Sequence, residues 1–229
     1  MIITNESDAI KVIIANDKPC IFVDTCVLLD IIRIPFRENL VNNYFDMDRL
    51  SRDNIANIVM SEINLNEYAQ NTQNVKLELE RHIVKVKNHM MKIEAVSNFV
   101  GIGFDLLYKE IDTYKLPDAI SKKIDELIQR AIVIKVNPES ELDGSRRASR
   151  KIAPSKSGQI NDSIFYSSFL RTWEKLRGMA YVGKIAFATS NTSDFGKTDH
   201  PFYPINDEIR SNTITYVNSL SWAMHEIAK

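Results

Sequence analysis

The sequence is poor in cysteine, in long apolar runs and in net charge. Its two cysteines, Cys20 and Cys26, lie six positions apart, a spacing that suggests neither a zinc site nor a disulfide framework. We expect both to be reduced, partly buried thiols. No run of about 18 apolar residues occurs, so no transmembrane helix is predicted. Residues 1–17 do not resemble a secretion signal, so we expect a cytoplasmic protein without a membrane partner.

The charge balance argues against a protein whose main task is to coat nucleic acid. The net charge is −1 over 229 residues, whereas such proteins are usually strongly basic. This balance is typical of an enzyme with an acidic active site and a local basic patch for its substrate. The length is sufficient for one large α/β domain or two small ones.

Short apolar runs alternate with helical patterns along the chain. Strand-length runs occupy Cys20–Val23, Ile58–Met60, Ile185–Thr189 and Ile214–Val217. Helical spacing covers residues 6–16, 27–32, 39–56, 63–70 and 161–176 and the C-terminus. The alternation predicts a single α/β domain over residues 1–229, with a parallel sheet covered by helices on both faces.

Two segments depart from this alternation. Residues 72–135 show helical patterns and no strand pattern, so we predict a helical insertion with helices near Val75–Met90, Phe104–Tyr114 and Ser121–Ala131. Residues 136–160 are rich in Ser, Gly and Pro, which predicts a loop. The basic side chains of that segment are Arg146, Arg147, Arg150, Lys151 and Lys156. Long basic loops in compact domains are often functional.

Two aspartates follow predicted strands. Asp24 comes directly after Cys20–Val23, and Asp194 comes a few residues after Ile185–Thr189. Ligands of open parallel sheets bind at the carboxyl ends of the strands, so both side chains are candidates for a site there. The alternative for each one alone is an aspartate that caps a helix or completes a turn.

Two further acids lie in predicted helices. Asp162 shares a helical stripe with Phe165 and Phe169, which directs it towards the core at the first turn, although helix capping is the alternative. Glu67 lies in the helix after Ile58–Met60, where Glu62 competes with it and a surface position is the alternative for both. Clustered carboxylates need a counter-charge, and Mg²⁺ or Mn²⁺ prefers such oxygen ligands.

The order of these acids resembles that of the PIN-domain nucleases. Asp24 is followed by Thr25, as in the first motif of that family, with Cys26 in place of its usual Asn. Ser61 precedes Glu67 by six positions, which is the spacing of the second motif and selects Glu67 over Glu62.

The last two motifs complete the resemblance. Asp162 occupies the place of the third acid, at the start of a helix. Residues 189–195 match the pattern T-x-N-x-x-D-F, which contains Thr189, Asn191 and Asp194 and is the most specific of the four.

The resemblance implies a three-layer α/β/α fold with a central parallel sheet, as in the larger PIN-like proteins. It implies divalent-metal hydrolysis of RNA, with Mg²⁺ or Mn²⁺ held by a set of four acids, Asp24, Glu67, Asp162 and Asp194. Thr25, Thr189 and Asn191 would support them. An endoribonuclease of toxin or defence type is the expected function, and single-stranded DNA stays open as a second substrate.

The expected partners follow from that function. We predict that the five basic residues of 136–160 contact the RNA backbone; the alternative is a solvated segment that balances the acidic surface. An inhibitory partner protein and a homodimer are both left open, with the helices of 72–135 as the surface for either. A PIN-like scaffold without activity is the alternative function, which the presence of all four acids disfavours.

Two other enzyme classes fit less well. A haloacid-dehalogenase-like phosphatase needs a second Asp two positions after the first, where this chain has Cys26. Gly101 and Gly103 resemble part of a dinucleotide-binding fingerprint, but the third glycine and a preceding strand are missing.

Overall fold

The computed structural model describes residues 1–36, 41–102, 110–111, 114–156 and 158–229. Its strands are β1 (Ile2–Thr4), β2 (Cys20–Val23), β3 (Asn57–Ser61), β4 (Ile132–Ile134), β5 (Ile185–Ala188), β6 (Gly196–Lys197), β7 (His200–Pro201) and β8 (Thr215–Val217). Its α-helices are α1 (Glu6–Asn16), α2 (Thr25–Arg33), α3 (Asn42–Asp53), α4 (Glu62–Phe99), α5 (Leu116–Ile128), α6 (Pro138–Ser149), α7 (Ile160–Gly178), α8 (Thr192–Phe195), α9 (Ile205–Ser211) and α10 (Leu220–Ala228). A short 3₁₀ helix, Ile34–Phe36, follows α2.

Six strands form one parallel sheet in the order β1-β4-β3-β2-β5-β8. The chain leaves β2 towards β3 on one side and leaves β5 towards β8 on the other. The order therefore reverses between β2 and β5, which is the position where open α/β sheets bind their ligands. Strands β6 and β7 form a separate antiparallel pair.

Helices cover both faces of the sheet, so the fold has three layers, α/β/α. Along β2 the side chains alternate: Ile21 and Val23 join the core under α2, α3, α4, α5 and α10. Cys20 and Phe22 join the core under α1, α7 and α9. All four side chains are buried, as expected for a central strand of a parallel sheet with both faces covered.

The predicted α/β class and central parallel sheet are confirmed, but two of the six strands of that sheet escaped prediction. Ile132–Ile134 forms β4 and pairs with β1 and β3, so the expectation of no strand within residues 72–135 was wrong. Ile2–Thr4 forms the edge strand β1. Each of these strands is three residues long, too short to show a period.

The predicted helical insertion differs in its boundaries. Helix α4 runs unbroken from Glu62 to Phe99, so the helix of the second motif and the first insertion helix are one element. Helix α5 corresponds to the predicted third helix. The predicted helix at Phe104–Tyr114 lies mostly outside the described residues, as does Gly103.

The predicted loop of 136–160 contains helix α6, which corrects that assignment for residues 138–149. Asn137 caps the helix through a 2.7 Å bond from the Ser140 N–H to its Oδ1, and Pro138 begins the first turn. Acidic residues lie in the first turn and Arg146 and Arg147 in the last, which complements the helix dipole. These terminal signals outweighed the Ser- and Gly-rich composition.

Within the described ranges, no helix combines the length and apolar character that crossing a bilayer requires.

Candidate active site

Asp24 lies at the carboxyl end of β2, where it both caps α2 and faces the crevice between β2 and β5. Its Oδ1 accepts hydrogen bonds from the Thr25 N–H at 2.7 Å and from Asn64 Nδ2 at 3.1 Å. Its Oδ2 accepts from Thr189 Oγ1 at 2.6 Å. The side chain is buried, and burial is the largest cause of its raised pKa. Because several donors face it, the capping and the functional interpretations of Asp24 are compatible.

Ser61 and Asn64 form a capping box at the start of α4. The Asn64 N–H donates to Ser61 Oγ at 3.3 Å, and the Ser61 N–H donates to Asn64 Oδ1 at 3.2 Å. This arrangement fixes Asn64, which is buried, so that its amide reaches Asp24. The cap of one helix thereby orients the first acid of the site.

Thr25 connects the first acid to the second. Its hydroxyl lies 3.2 Å from Glu67 Oε2 and 3.1 Å from the Asn64 carbonyl oxygen, and it can donate to either one. Glu67 Oε1 accepts from Asn161 Nδ2 at 3.0 Å, which ties α4 to the first turn of α7. Glu67 is therefore held from both sides of the crevice.

Glu62, the competing acid, has a different position. Its Oε1 accepts a 2.7 Å hydrogen bond from the Val136 N–H, just beyond β4. It contributes to none of the contacts that link Asp24, Glu67 and Asp162. The geometry therefore agrees with the motif spacing in favouring Glu67.

Asp162 is positioned by the aromatic anchors of α7. Phe165 stacks on Phe187 with 5.5 Å between ring centroids, and Phe169 lies 4.8 Å from Phe22 and 4.6 Å from Phe187. Both phenylalanines are buried against strands β2 and β5, as the helical stripe predicted. Asp162, on the first turn of the same helix, is thereby directed to the carboxyl ends of those strands.

The pKa of Asp162 shows how close the four acids are. Burial raises it most, and the charges of Asp24, Asp194 and Glu67 raise it further, to about 8. A hydrogen bond from Asn191 acts in the opposite direction. The four carboxylates therefore interact electrostatically as one cluster.

Asn191 links the third and fourth acids. Its Nδ2 donates to Asp162 Oδ2 at 3.1 Å and to Asp194 Oδ2 at 3.2 Å. Its Oδ1 caps the short helix α8, accepting from the Asp194 N–H at 3.3 Å. Thr189 is fully buried beside it and accepts from the Asn191 N–H at 3.1 Å. The T-x-N-x-x-D pattern is thus a network of hydrogen bonds that holds Asp194 next to Asp162.

Cys26 takes the place of the family's usual Asn and also contacts the first acid. Its thiol donates to Asp24 Oδ2 at 3.1 Å and accepts from the Ser190 N–H at 3.1 Å. Burial raises the pKa of the Cys26 thiol well above its ordinary value, and the Asp24 charge adds to this effect. A neutral thiol can therefore serve as a hydrogen-bond donor there.

The donor set suits a hard divalent cation chemically. Four carboxylates supply only oxygen ligands, and the raised pKa of Asp162 reflects its burial first and the like charges of its neighbours second. In the described part of the chain, however, no three His, Cys, Asp or Glu side chains surround a common point. Asn161 and Asn191 instead donate to carboxylate oxygens of Glu67, Asp162 and Asp194. We conclude that these four carboxylates are chemically suited to a divalent metal. In this structure, their oxygens accept hydrogen bonds from asparagine amides.

The five predicted RNA-contacting residues are not equivalent. Arg146 and Arg150 are exposed at the end of α6, and Lys151 is exposed just beyond it. Arg147 is turned inward, donating to Glu208 and to the Ala153 carbonyl oxygen at 3.0 Å. The remaining one, Lys156, lies 3.1 Å from the centre of the Phe202 ring.

Two residues of the site were missed by sequence reasoning. Asn64 and Asn161 both donate to acids of the cluster, yet neither was assigned a role. Asn64 stands three positions after Ser61, which is the capping-box position and the only signal that pointed to it. Asn161 precedes the third acid directly, and nothing in the sequence distinguishes it from a surface residue.

Comparison with known proteins agrees with this geometry. The family model described as PIN domain matches residues 21–195, a span that includes all four acids. No curated protein and no solved structure gives a match. Since the family model covers well over half of the chain and its fold is of the nuclease type, the chain belongs to the PIN-domain family.

Proposed function

We propose that this protein is a divalent-metal-dependent nuclease that hydrolyses phosphodiester bonds of RNA. The observation that carries the proposal is the convergence of Asp24, Glu67, Asp162 and Asp194 at the reversal point of the sheet. Hydrogen bonds through Thr25, Asn161 and Asn191 join these acids into one cluster. On the family resemblance, the proposal includes endonucleolytic cleavage and a toxin or defence role. The cytoplasmic location, an inhibitory partner and a homodimer stay predictions.

The chain's own residues hold and orient the acids. Asp24 is fixed by donors on both oxygens, and Thr25 and Asn161 contact the two oxygens of Glu67. Asp162 and Asp194 share the Asn191 amide. A bound Mg²⁺ or Mn²⁺ would supply charge compensation and a more acidic water for phosphodiester hydrolysis. Geometry that is fixed before the substrate arrives lowers the cost of reaching the transition state.

Cleavage of total and of structured RNA tests the proposal. Wild type and Asp24→Asn are compared with Mg²⁺ or Mn²⁺, with and without chelator. We expect metal-dependent cleavage that falls at least about a hundredfold in Asp24→Asn, since the variant removes one of four charges at the centre of the site. Equal cleavage by both proteins would contradict the four-acid site. RNA binding without cleavage by either protein would favour the scaffold alternative.

A matched pair of glutamates on one helix sharpens the test. Glu67→Gln should abolish cleavage as Asp24→Asn does, because it removes a charge from the cluster. Glu62→Gln keeps an acceptor for the Val136 N–H and should retain cleavage within about threefold. A larger reduction in Glu62→Gln than in Glu67→Gln would show that the second acid is wrongly assigned.

We propose further that the basic residues after β4 contact the RNA backbone. Arg150 and Lys151 are exposed and make no ion pair among the described residues. Arg146 is exposed but lies 3.5 Å from Asp143, and Arg147 is engaged by Glu208. Replacing all five basic residues, including Lys156, with Gln should reduce the slope of log affinity against log salt by about 0.7 for each phosphate that the variant no longer neutralises. An unchanged slope would favour the alternative of a solvated segment that only balances charge.

A further inference from the structure

A cavity of about 380 Å³ lies on the flank of the molecule, between α6, α7 and α9. Four arginines line it, three from the end of α6 and one from α7: Arg146, Arg147, Arg150 and Arg171. We call it the arginine cavity. None of the four acids of the active site lines it, so it is a separate feature of the surface.

Two buried donors in the wall of the arginine cavity lack partners. Ser167 is 4% exposed, and its hydroxyl has no hydrogen-bond partner among the described residues. The same holds for Arg171 Nε, although the end of that guanidinium contacts Glu139 and lies 3.8 Å from Asp143. A buried polar group without a partner is unfavourable and uncommon in folded proteins. Both groups can donate to an acceptor such as a phosphate oxygen. Glu208 Oε2, which lines the same cavity, also lacks a partner within the described ranges and requires a donor.

The guanidinium groups of the lining can bind an anion. The four arginines face three acids of the lining, Asp143, Glu174 and Glu208, and Glu139 contacts Arg171 from outside it, so the charges balance overall. Glu208 is engaged by Arg147, while Asp143 lies near Arg146 at 3.5 Å and near Arg171. In the described part of the chain, Arg150 makes no ion pair, so its guanidinium is available at the rim. Guanidinium groups bind phosphate oxygens through two parallel hydrogen bonds.

Helix α7 connects the arginine cavity to the active site. Asp162 lies on its first turn, and Ser167 lies five positions later, about 7.5 Å along the helix axis and about 140° around it. The cavity and the acids therefore lie on different sides of the same helix, and a strand that contacts both has to pass around α7.

We propose that the arginine cavity binds a phosphate group of the RNA strand that the four acids cleave. The choice of RNA as the ligand rests on the proposed function. The phosphate oxygens accept hydrogen bonds from Ser167 and from the guanidinium groups, which supplies the acceptors that the wall lacks.

Binding without cleavage tests this proposal. Affinity for a fluorescein-labelled single-stranded RNA is measured by anisotropy in chelator, where a metal-dependent nuclease does not cut. The double variant Arg146→Gln/Arg150→Gln should bind about tenfold more weakly, with a salt slope reduced by about 0.7 for each phosphate that it no longer neutralises. The control Lys85→Gln/Lys122→Gln removes equal charge from exposed positions on α4 and α5 and should bind as wild type does.

Ser167→Ala distinguishes specific binding in the arginine cavity from general electrostatic attraction between the arginines and RNA. The variant removes an unpartnered hydroxyl, so folding should be unaffected, while RNA affinity should fall several-fold with the salt slope unchanged. Oligonucleotides with a 5′-phosphate and with a 5′-hydroxyl distinguish the source of the phosphate. If Ser167→Ala reduces the affinity for both oligonucleotides equally, the cavity binds an internal phosphodiester. If it reduces the affinity only for the 5′-phosphorylated oligonucleotide, the cavity binds the terminal phosphate.

The proposal is overturned if the arginine double variant binds RNA as tightly as the lysine control. Its failure is distinguishable from failure of the nuclease proposal because cleavage is assayed separately with metal. If wild type cleaves RNA and the cavity variants bind RNA with unchanged affinity, only the cavity proposal is contradicted. If the cavity variants bind more weakly and wild type does not cleave, only the nuclease proposal is contradicted.

Discussion

At the scale of single residues, Asp24 shows how a buried acid is kept in place. Burial raises its pKa, while hydrogen bonds from Thr189, Cys26 and the Thr25 N–H lower it. The Asn64 amide adds a fourth donor at 3.1 Å. The charge of the acid and the donors that hold it can therefore be tested separately.

Asn64→Ala tests the donors while leaving the charge. We expect a cleavage rate about tenfold lower and a decrease of about 1–3 kcal/mol in the free energy of unfolding, because Ser61 and Asp24 are each deprived of a buried partner. The rate is measured well below the melting temperature, and stability by urea unfolding. Asn66→Ala is the matched control, since Asn66 is exposed on the same helix. A full cleavage rate in Asn64→Ala would mean that Asp24 is positioned without the amide.

Cys20 gives a prediction about thiol chemistry. It is fully buried, and burial raises the pKa of its thiol to about 11. Because the folded pKa lies above the ordinary value, the neutral thiol favours folding below about pH 9, and this contribution disappears as the pH rises towards 11. We expect Cys20 to resist iodoacetamide at about pH 8 in the native protein and to react in denaturant, as followed by mass spectrometry. Fast native alkylation of Cys20 would contradict its burial.

At the scale of elements, the contact between α6 and α7 depends on Gly144. A Cβ atom built there would lie 2.5 Å from Ile164 Cγ1 and 2.7 Å from the Ile164 Cα and N atoms. Backbone atoms cannot move aside as a flexible side chain can. The close approach of the two helices therefore requires glycine, and Ile164 is two positions from Asp162.

Gly144→Ala should push α6 away from the first turns of α7. We expect a decrease of about 1–3 kcal/mol in stability and a lower cleavage rate, since Asp162 lies on the displaced turn. Gly178→Ala is the control at the other end of α7, where an added Cβ meets nothing within 4 Å. The free energy of unfolding of this control should rise by up to about 1 kcal/mol, because alanine has a higher helix propensity than glycine. Thermal unfolding by circular dichroism measures both, and equal stability of the two variants would contradict the contact.

Whether an element could be predicted from the sequence depended on its length and on the signals at its ends. Strands β2, β3 and β5 carry apolar runs next to motif acids, so their places and the site positions were accessible. Strands β1 and β4 have three residues each and show no period. Helix α6 has a composition typical of loops, and only its end signals mark it. Asn64 and Asn161 act through partners distant in sequence, which composition and spacing do not reveal.

At the scale of the whole molecule, the strand order brings the site together. Asp24 follows β2 and Asp194 follows β5, which are neighbours in the sheet although the two acids are far apart in sequence. Neighbouring strands could be inferred only from the family resemblance, because short parallel strands carry no pairing signal. The fold therefore converts four short motifs, spread over almost the whole of the family match, into one acidic crevice.

This acidic crevice places a cost on the metal-free fold. Burial and the neighbouring like charges raise the pKa of Asp162 to about 8, so this side chain has to take up a proton on folding near neutral pH, and a neutral Asn avoids that cost. In chelator, we expect Asp162→Asn to melt a few degrees above wild type, since the Asn side chain keeps an oxygen for the Asn191 amide. Asp53→Asn, at an exposed position outside the site, should melt as wild type does.

Adding Mg²⁺ or Mn²⁺ should reverse that order. A cation at about 100 times its dissociation constant stabilises the folded state by about 2.7 kcal/mol, which corresponds to a rise of roughly 5–10 °C for a chain of this size. Asp162→Asn lacks one ligand charge, so its melting temperature should rise much less. Scanning calorimetry with and without metal measures both shifts. Equal shifts in wild type and Asp162→Asn would place the stabilising cation elsewhere on the protein and would remove the main support for a metal held by these four acids.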